Sequence, residues 1–78
     1  MPNAHDELFR TLADPTRRHV LEVLAAHPGA SASMLSRQLP ISRQMVLKHL
    51  GVLQSSGLVR SAKAGREVLF EVQSAPLS

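Results

Sequence analysis

LSRQLPISRQM, residues 35–45, contains the tripeptide Ser-Arg-Gln twice, as Ser36-Arg37-Gln38 and Ser42-Arg43-Gln44, with Leu-Pro-Ile between them. The proline decides how the two copies are used. A residue before proline is pushed out of the helical region, so a helix carrying Leu35 must stop at Leu39. Ser42, two residues past Pro40, then suits an N-cap whose hydroxyl accepts a backbone N–H from the next helix's first turn. The stretch reads as two short helices joined by a tight turn, and the repeated string enters them in different phases. With Leu35 facing inward, Arg37 points outward near the end of the first helix. In the second helix Ser42 is the cap, Arg43 slides to the flank and Gln44 takes the outward position.

The rest of the chain organises around this pair. Ser31 can cap the first of the two helices, in which Leu35 and Leu39 share a face. In the second, Val46, Leu50 and Leu53 form the buried stripe and Ser55-Ser56-Gly57 closes it. Upstream, a short helix is expected over residues 5–13. Asp14-Pro15 starts another, with Asp as cap and Pro at the first helical position, running to about Ala26 before Pro28-Gly29 ends it. From Leu58 the period changes to two. LVRSAK and EVLFEV read as strands joined at Ala64-Gly65, with Val68, Phe70 and Val72 alternating against Glu67, Leu69 and Glu71.

Two helices across a tight turn, followed by a hairpin with a basic tip, outline a winged helix-turn-helix. The predicted fold is mainly α, about four helices plus a two-stranded wing. Residues 1–78 form a single domain, with the helix-turn-helix at 31–56 and the wing hairpin at 58–73.

Composition narrows the function. Apolar residues make up 44% of the 78, enough for a small core and too many for a disordered tail. The start, MPNAHDELF, lacks a basic segment leading into an apolar run, and no apolar run approaches the roughly 18 residues of a membrane span. A cytoplasmic, soluble protein is expected. Cysteine is absent, which excludes disulfides, thiolate metal sites and thiol switches in this chain. His5, His19, His27 and His49 show no ligand spacing, so no metal site and no cofactor are predicted, and His49 reads as a hydrogen-bonded structural histidine. No nucleophile motif, phosphate-binding glycine loop or paired carboxylates support catalysis. Charge is more informative by location. Residues 1–30 carry three arginines against Asp6, Glu7, Asp14 and Glu22, net −1; residues 31–70 carry Arg37, Arg43, Lys48, Arg60, Lys63 and Arg66 against Glu67 alone, net +5. That asymmetry points to a polyanion as partner.

A helix about 10–12 Å across fits the major groove of double-stranded DNA with its N-terminal residues toward the base edges. At 100° per residue, Leu50 and Leu53 lie within roughly 40° of Val46, while Gln44, Leu47, Lys48 and Gly51 point the other way. Gln44 suits a bidentate contact to adenine and Leu47 a thymine methyl. Lys48 suits guanine or a phosphate. Arg37 and Arg43 suit phosphates, Lys63 and Arg66 are placed for the wing's backbone or minor-groove contacts, and the Ser42 cap leaves free N–H groups that favour a phosphate. Arg17 and Arg18 read as solvated or intramolecular. Gly51 either admits the DNA backbone closely or is tolerated without a role. The rival use of the same fold is a protein-interaction module, against which the nearly acid-free second part argues.

The segments LFRTLADPTRRHVLEVL, ISRQMVLKHLGVLQSSGLV and GREVLFEV together resemble the ArsR-type (ArsR/SmtB-like) bacterial transcriptional regulators, over nearly the whole chain. The resemblance implies a dimeric repressor of its own or a neighbouring operon, whose fourth helix is the recognition helix. Where the metal-sensing branch carries a cysteine pair on its third helix, this chain has SMLSRQL, which argues against thiolate metal sensing. The family usually continues into a further helix that helps form the dimer; this sequence ends at Ser78. Leu8, Phe9 and Leu12 fit either the intramolecular core or a dimer surface, and the resemblance favours the dimer surface, from which so small a domain gains stability.

Overall fold

Local capping chemistry sets where three of the helices begin, at Asp14, Ser31 and Ser42. In the computed structural model, which describes residues 4–73, α1 spans Ala4–Ala13 and α2 spans Pro15–Ala26, divided by Asp14. The Asp14 carboxylate accepts the backbone N–H of Thr16 at 2.9 Å and of Arg17 at 3.2 Å, with Pro15 occupying the first turn. The remaining elements are β1 (Ala30–Ser31), α3 (Ala32–Gln38), α4 (Arg43–Ser55), β2 (Val59–Ala64) and β3 (Glu67–Val72). Ser31 and Ser42 cap α3 and α4, their hydroxyls accepting the N–H of Met34 at 3.1 Å and of Met45 at 3.2 Å. Leu39 is extended (φ −127°, ψ 146°), as the following proline requires. Gly57 closes α4 with φ +78°, a left-handed conformation open to glycine. Its N–H donates to the Gln54 carbonyl and the Leu58 N–H to that of Leu53, both at 3.0 Å, the paired bonds of a Schellman cap. The side chain of His5 and the tail beyond Gln73 lie outside the described residues.

The core is where the four helices and the sheet meet. Val20 and Leu24 of α2, Leu35 of α3, Val46, Leu50 and Leu53 of α4, and Val59 and Phe70 of the sheet are buried together. The stripe expected on the fourth helix is the one buried.

The sheet departs from expectation in three ways. It has three antiparallel strands in the order β1-β3-β2, so the wing hairpin gains a short third strand. Ala30 pairs with Phe70 and Ser31 with Leu69, and the Gly29 N–H donates to the Phe70 carbonyl at 2.9 Å. Two residues are too few to show an alternation in sequence. The hairpin turn also falls one residue later than expected. Ala64 pairs with Glu67, leaving Gly65 and Arg66 as a two-residue loop. Gly65 has φ +65° while Arg66, like every non-glycine among the described residues, has no positive φ, which is the type II′ pattern with glycine first. Finally, Val68 shares the inward face with Phe70 but stands beyond the core, and it is exposed.

Among the described residues, no helix is long and apolar enough to cross a membrane.

Candidate nucleic-acid interface

Three struts fix the direction in which α4 presents its outer face. On its α2 side, the Arg17 side chain bridges three places: Nη1 donates to the Thr11 carbonyl at 3.2 Å, Nε to His49 Nδ1 at 3.4 Å, and Nη2 lies 3.9 Å from the Asp14 carboxylate. His49 is buried and accepts at Nδ1, a structural histidine as the sequence suggested, and Arg17 is intramolecular. At the C-terminal end, buried Thr11 shares a 2.8 Å hydroxyl hydrogen bond with Ser56. On the wing side, Gln54 Nε2 donates to Ser61 Oγ at 3.0 Å, tying α4 to β2. Nothing in the sequence marks Gln54 for this role, because Ser61 becomes its neighbour only once the hairpin folds back.

Asp14 holds the α1–α2 junction and responds to pH. The Arg17 backbone N–H foremost, with the Thr16 N–H and the Arg17 guanidinium, holds its carboxyl below the ordinary value of 3.8 against an opposing desolvation. A depressed folded-state value means the stabilisation is present above about 3.8 and is lost as pH falls through the folded value. Asn caps as well as Asp without titrating. Asp14→Asn is therefore expected to flatten the acid limb of a helical circular-dichroism titration below pH ~3.8, leaving the neutral signal unchanged. An acid limb identical to the parent's would remove Asp14 from the explanation.

On the outer face of α4, Ser42, Arg43, Gln44, Leu47 and Lys48 are all exposed, as is Arg37 in the last turn of α3. Arg43 is not loose: its Nε donates to Ser33 Oγ on α3 at 3.0 Å, a link between the two helices that the linear sequence does not announce. Leu47 turns toward the wing, lining with Arg43, Arg66 and Val68 a cleft of about 190 Å³ between α4 and the wing. Lys63 lies near the end of β2 and Arg66 in the turn, both exposed. At Gly51 an added Cβ would meet nothing within 4 Å, so the packing of the domain does not demand glycine there.

Arg60, counted above in the basic second part, sits opposite Glu71 in the register, and the two form an ion pair on the sheet face away from the core. The other cations of residues 31–70, Arg37, Arg43, Lys48, Lys63 and Arg66, lie on α3, α4 and the wing. Among the described residues, no group of three or more His, Cys, Asp or Glu is placed to hold a metal ion.

This arrangement matches known proteins. A family model described as a helix-turn-helix domain matches residues 12–62. An ArsR-like transcriptional regulator from Rhodococcus sp. RHA1 superposes with a TM-score of 0.78 at 43% identity, over 86% of this chain and 62% of that one. The chain belongs to the ArsR-type helix-turn-helix transcriptional regulators. Its relatives include the HTH-type transcriptional regulator Rv2034 of Mycobacterium tuberculosis, 39% identical over 67 residues, covering 86% of this chain and 62% of that protein. YuzN of Bacillus subtilis, also an HTH-type transcriptional regulator, is 33% identical over 78 residues, covering 92% of this chain and 85% of its own. The chain spans under two thirds of the length of the first of these relatives. It carries no cysteine, and its family is one of transcriptional regulators, not of enzymes.

Proposed function

We propose that this regulator, acting as one domain over residues 1–78, binds double-stranded DNA sequence-specifically in the cytoplasm and represses its own or a neighbouring operon. One observation carries the reading. The N-terminal half of α4 presents Gln44 and Lys48 outward, and cations on α3 and the wing flank them, while the only carboxylate pairs among the described residues involve Arg17 and Arg60. Gln44 and Leu47 read bases, Arg37, Arg43 and Lys48 hold phosphates beside the Ser42 cap, and Lys63 and Arg66 follow the backbone under the wing. For Lys48 the alternative to a phosphate is a guanine edge.

The working unit is a homodimer built around α1. Phe9 is 76% exposed there, a large aromatic surface without an intramolecular use, while Leu8 is half-buried and Leu12 packs against the core from a half-buried position. Two protomers place their fourth helices in successive major grooves, roughly 34 Å apart, on a pseudo-palindromic operator.

Selection of bound sequences from a random duplex pool, followed by footprinting, tests this. The expected result is two symmetric protected half-sites separated by about one helical turn. Gln44→Ala is expected to lose about 1–3 kcal/mol of discrimination at one base position per half-site and little affinity elsewhere. Absence of duplex binding, or binding indifferent to salt, rules the reading out and favours a protein partner for the same surface.

A further inference from the structure

Two large apolar side chains remain partly bare where α4 meets the wing. Leu47 is 39% exposed and Val68 is 42% exposed. They stand on different elements yet line the same cleft of about 190 Å³. A single exposed aliphatic residue needs no explanation, but two lining one cleft beside a proposed DNA-binding face do. The core makes no use of Val68: it pairs with Lys63 in the register, two residues beyond buried Phe70 toward the wing tip.

Apart from Ala32 and the buried Phe70, the rest of the cleft's lining is polar or charged, Ser31 and Ser33 among it. Arg43, held by Ser33, and Arg66 supply two cations, and Glu67 supplies a carboxylate. A phosphate inside the cleft would meet that carboxylate. An uncharged apolar group against Leu47 and Val68, with phosphates against the two arginines, satisfies both the aliphatic side chains and the charges.

We propose that Leu47 and Val68 form a slot for the 5-methyl group of a thymine, so that the wing takes part in reading sequence together with α4. The methyl is the one apolar group that a base pair displays in the major groove, and it distinguishes thymine there. Arg43, positioned by Ser33, and Arg66 take phosphates of the strand that carries this base. The proposal rests on the duplex-binding reading above and extends the Leu47–thymine contact to the wing, adding Val68 as a specificity-determining residue.

The test uses the full chain and its selected operator duplex, with each thymine replaced in turn by deoxyuridine, which lacks only the methyl. At one position per half-site the replacement is expected to weaken binding about fourfold, the worth of one buried methyl group. Leu47→Ala and Val68→Ala are each expected to bind the thymine and deoxyuridine duplexes alike at that position. Val68 lies outside the core, so its variant retains the fold, which circular dichroism verifies. If the parent binds every deoxyuridine duplex as tightly as the thymine duplex, the slot is overturned while duplex binding stands. It is equally overturned if the variants lose affinity but keep the thymine preference, since the two aliphatic side chains would then pack on sugar. Failure to bind any duplex would remove the proposal together with the reading beneath it.

Discussion

Leu50→Ala is expected to lower the stability of the domain by about 2–5 kcal/mol, whereas Leu47→Ala, one turn away on the same helix, is expected to change it by no more than ~0.5 kcal/mol. Leu50 is fully buried in the cluster that joins α2, α3, α4 and the sheet. Truncating it removes three carbon atoms from a close-packed interior and leaves a cavity that the short, mutually strutted helices cannot collapse to fill. Small domains hold little in reserve, typically the lower part of a 5–15 kcal/mol range. With a urea dependence of about 1 kcal/mol per molar, the midpoint should fall by roughly 2 M or more, and at the upper end the variant is unfolded in water. Leu47 loses contacts only along the cleft toward the wing, so its variant should melt like the parent and reveal itself in DNA binding. Urea titrations at a single chain concentration make the comparison, since dimerisation couples apparent stability to concentration. Equal midpoint shifts for the two leucines would mean that α4 packs by a different face.

The contrast between these two leucines was legible in the sequence because it depends on helical phase alone. The same holds for the boundaries. Asp14-Pro15, Ser31, Ser42 and Pro40 each act on a backbone group within a few residues, so their effect can be read before the chain folds. What could not be read depends on partners brought together by the fold. β1 is a strand only because β3 lies beside it. The register pairs Arg60 with Glu71, and this removes one cation from the apparent basic surface; no local pattern announces that choice. Alternation puts Val68 on one face with Phe70 and Val72, as in the sheet, but it carries no information on where the core ends. Ser33 and Gln54 are ordinary polar residues until α3, α4 and β2 are packed, when they meet Arg43 and Ser61. The candidate interface follows the same division. Gln44 and Lys48 follow from helical phase, whereas the cleft that Leu47 shares with the wing is a tertiary feature.

Arg43→Ala, Lys48→Ala and Arg66→Ala combined are expected to reduce the slope of log affinity against log salt by about 2.7, or 0.9 for each lost phosphate contact. Such a slope change has a large consequence. Between 200 mM and 50 mM salt, the gap between the parent protein and the triple variant should widen about 40-fold, because fewer counterions are released on binding. The single variants separate the roles. Loss of Arg43 or Arg66 should weaken all duplexes uniformly and lower the slope by about 0.9 each. Loss of Lys48 should do the same if its ammonium meets a phosphate, and should instead relax preference at one guanine with an unchanged slope if it meets a base edge. Arg60→Ala is the internal control, since that guanidinium is paired with Glu71 on the far side of the sheet and its removal should leave the slope as it was. Gln44→Ala, neutral to neutral, should also leave the slope intact while altering sequence preference. Were the triple variant to keep the parent's slope, the cations of α4 and the wing would not be touching the DNA backbone, and the polyanion would have to approach another face. The remaining free cation on the described helix pair, Arg37 at the end of α3, would then be the next residue to remove.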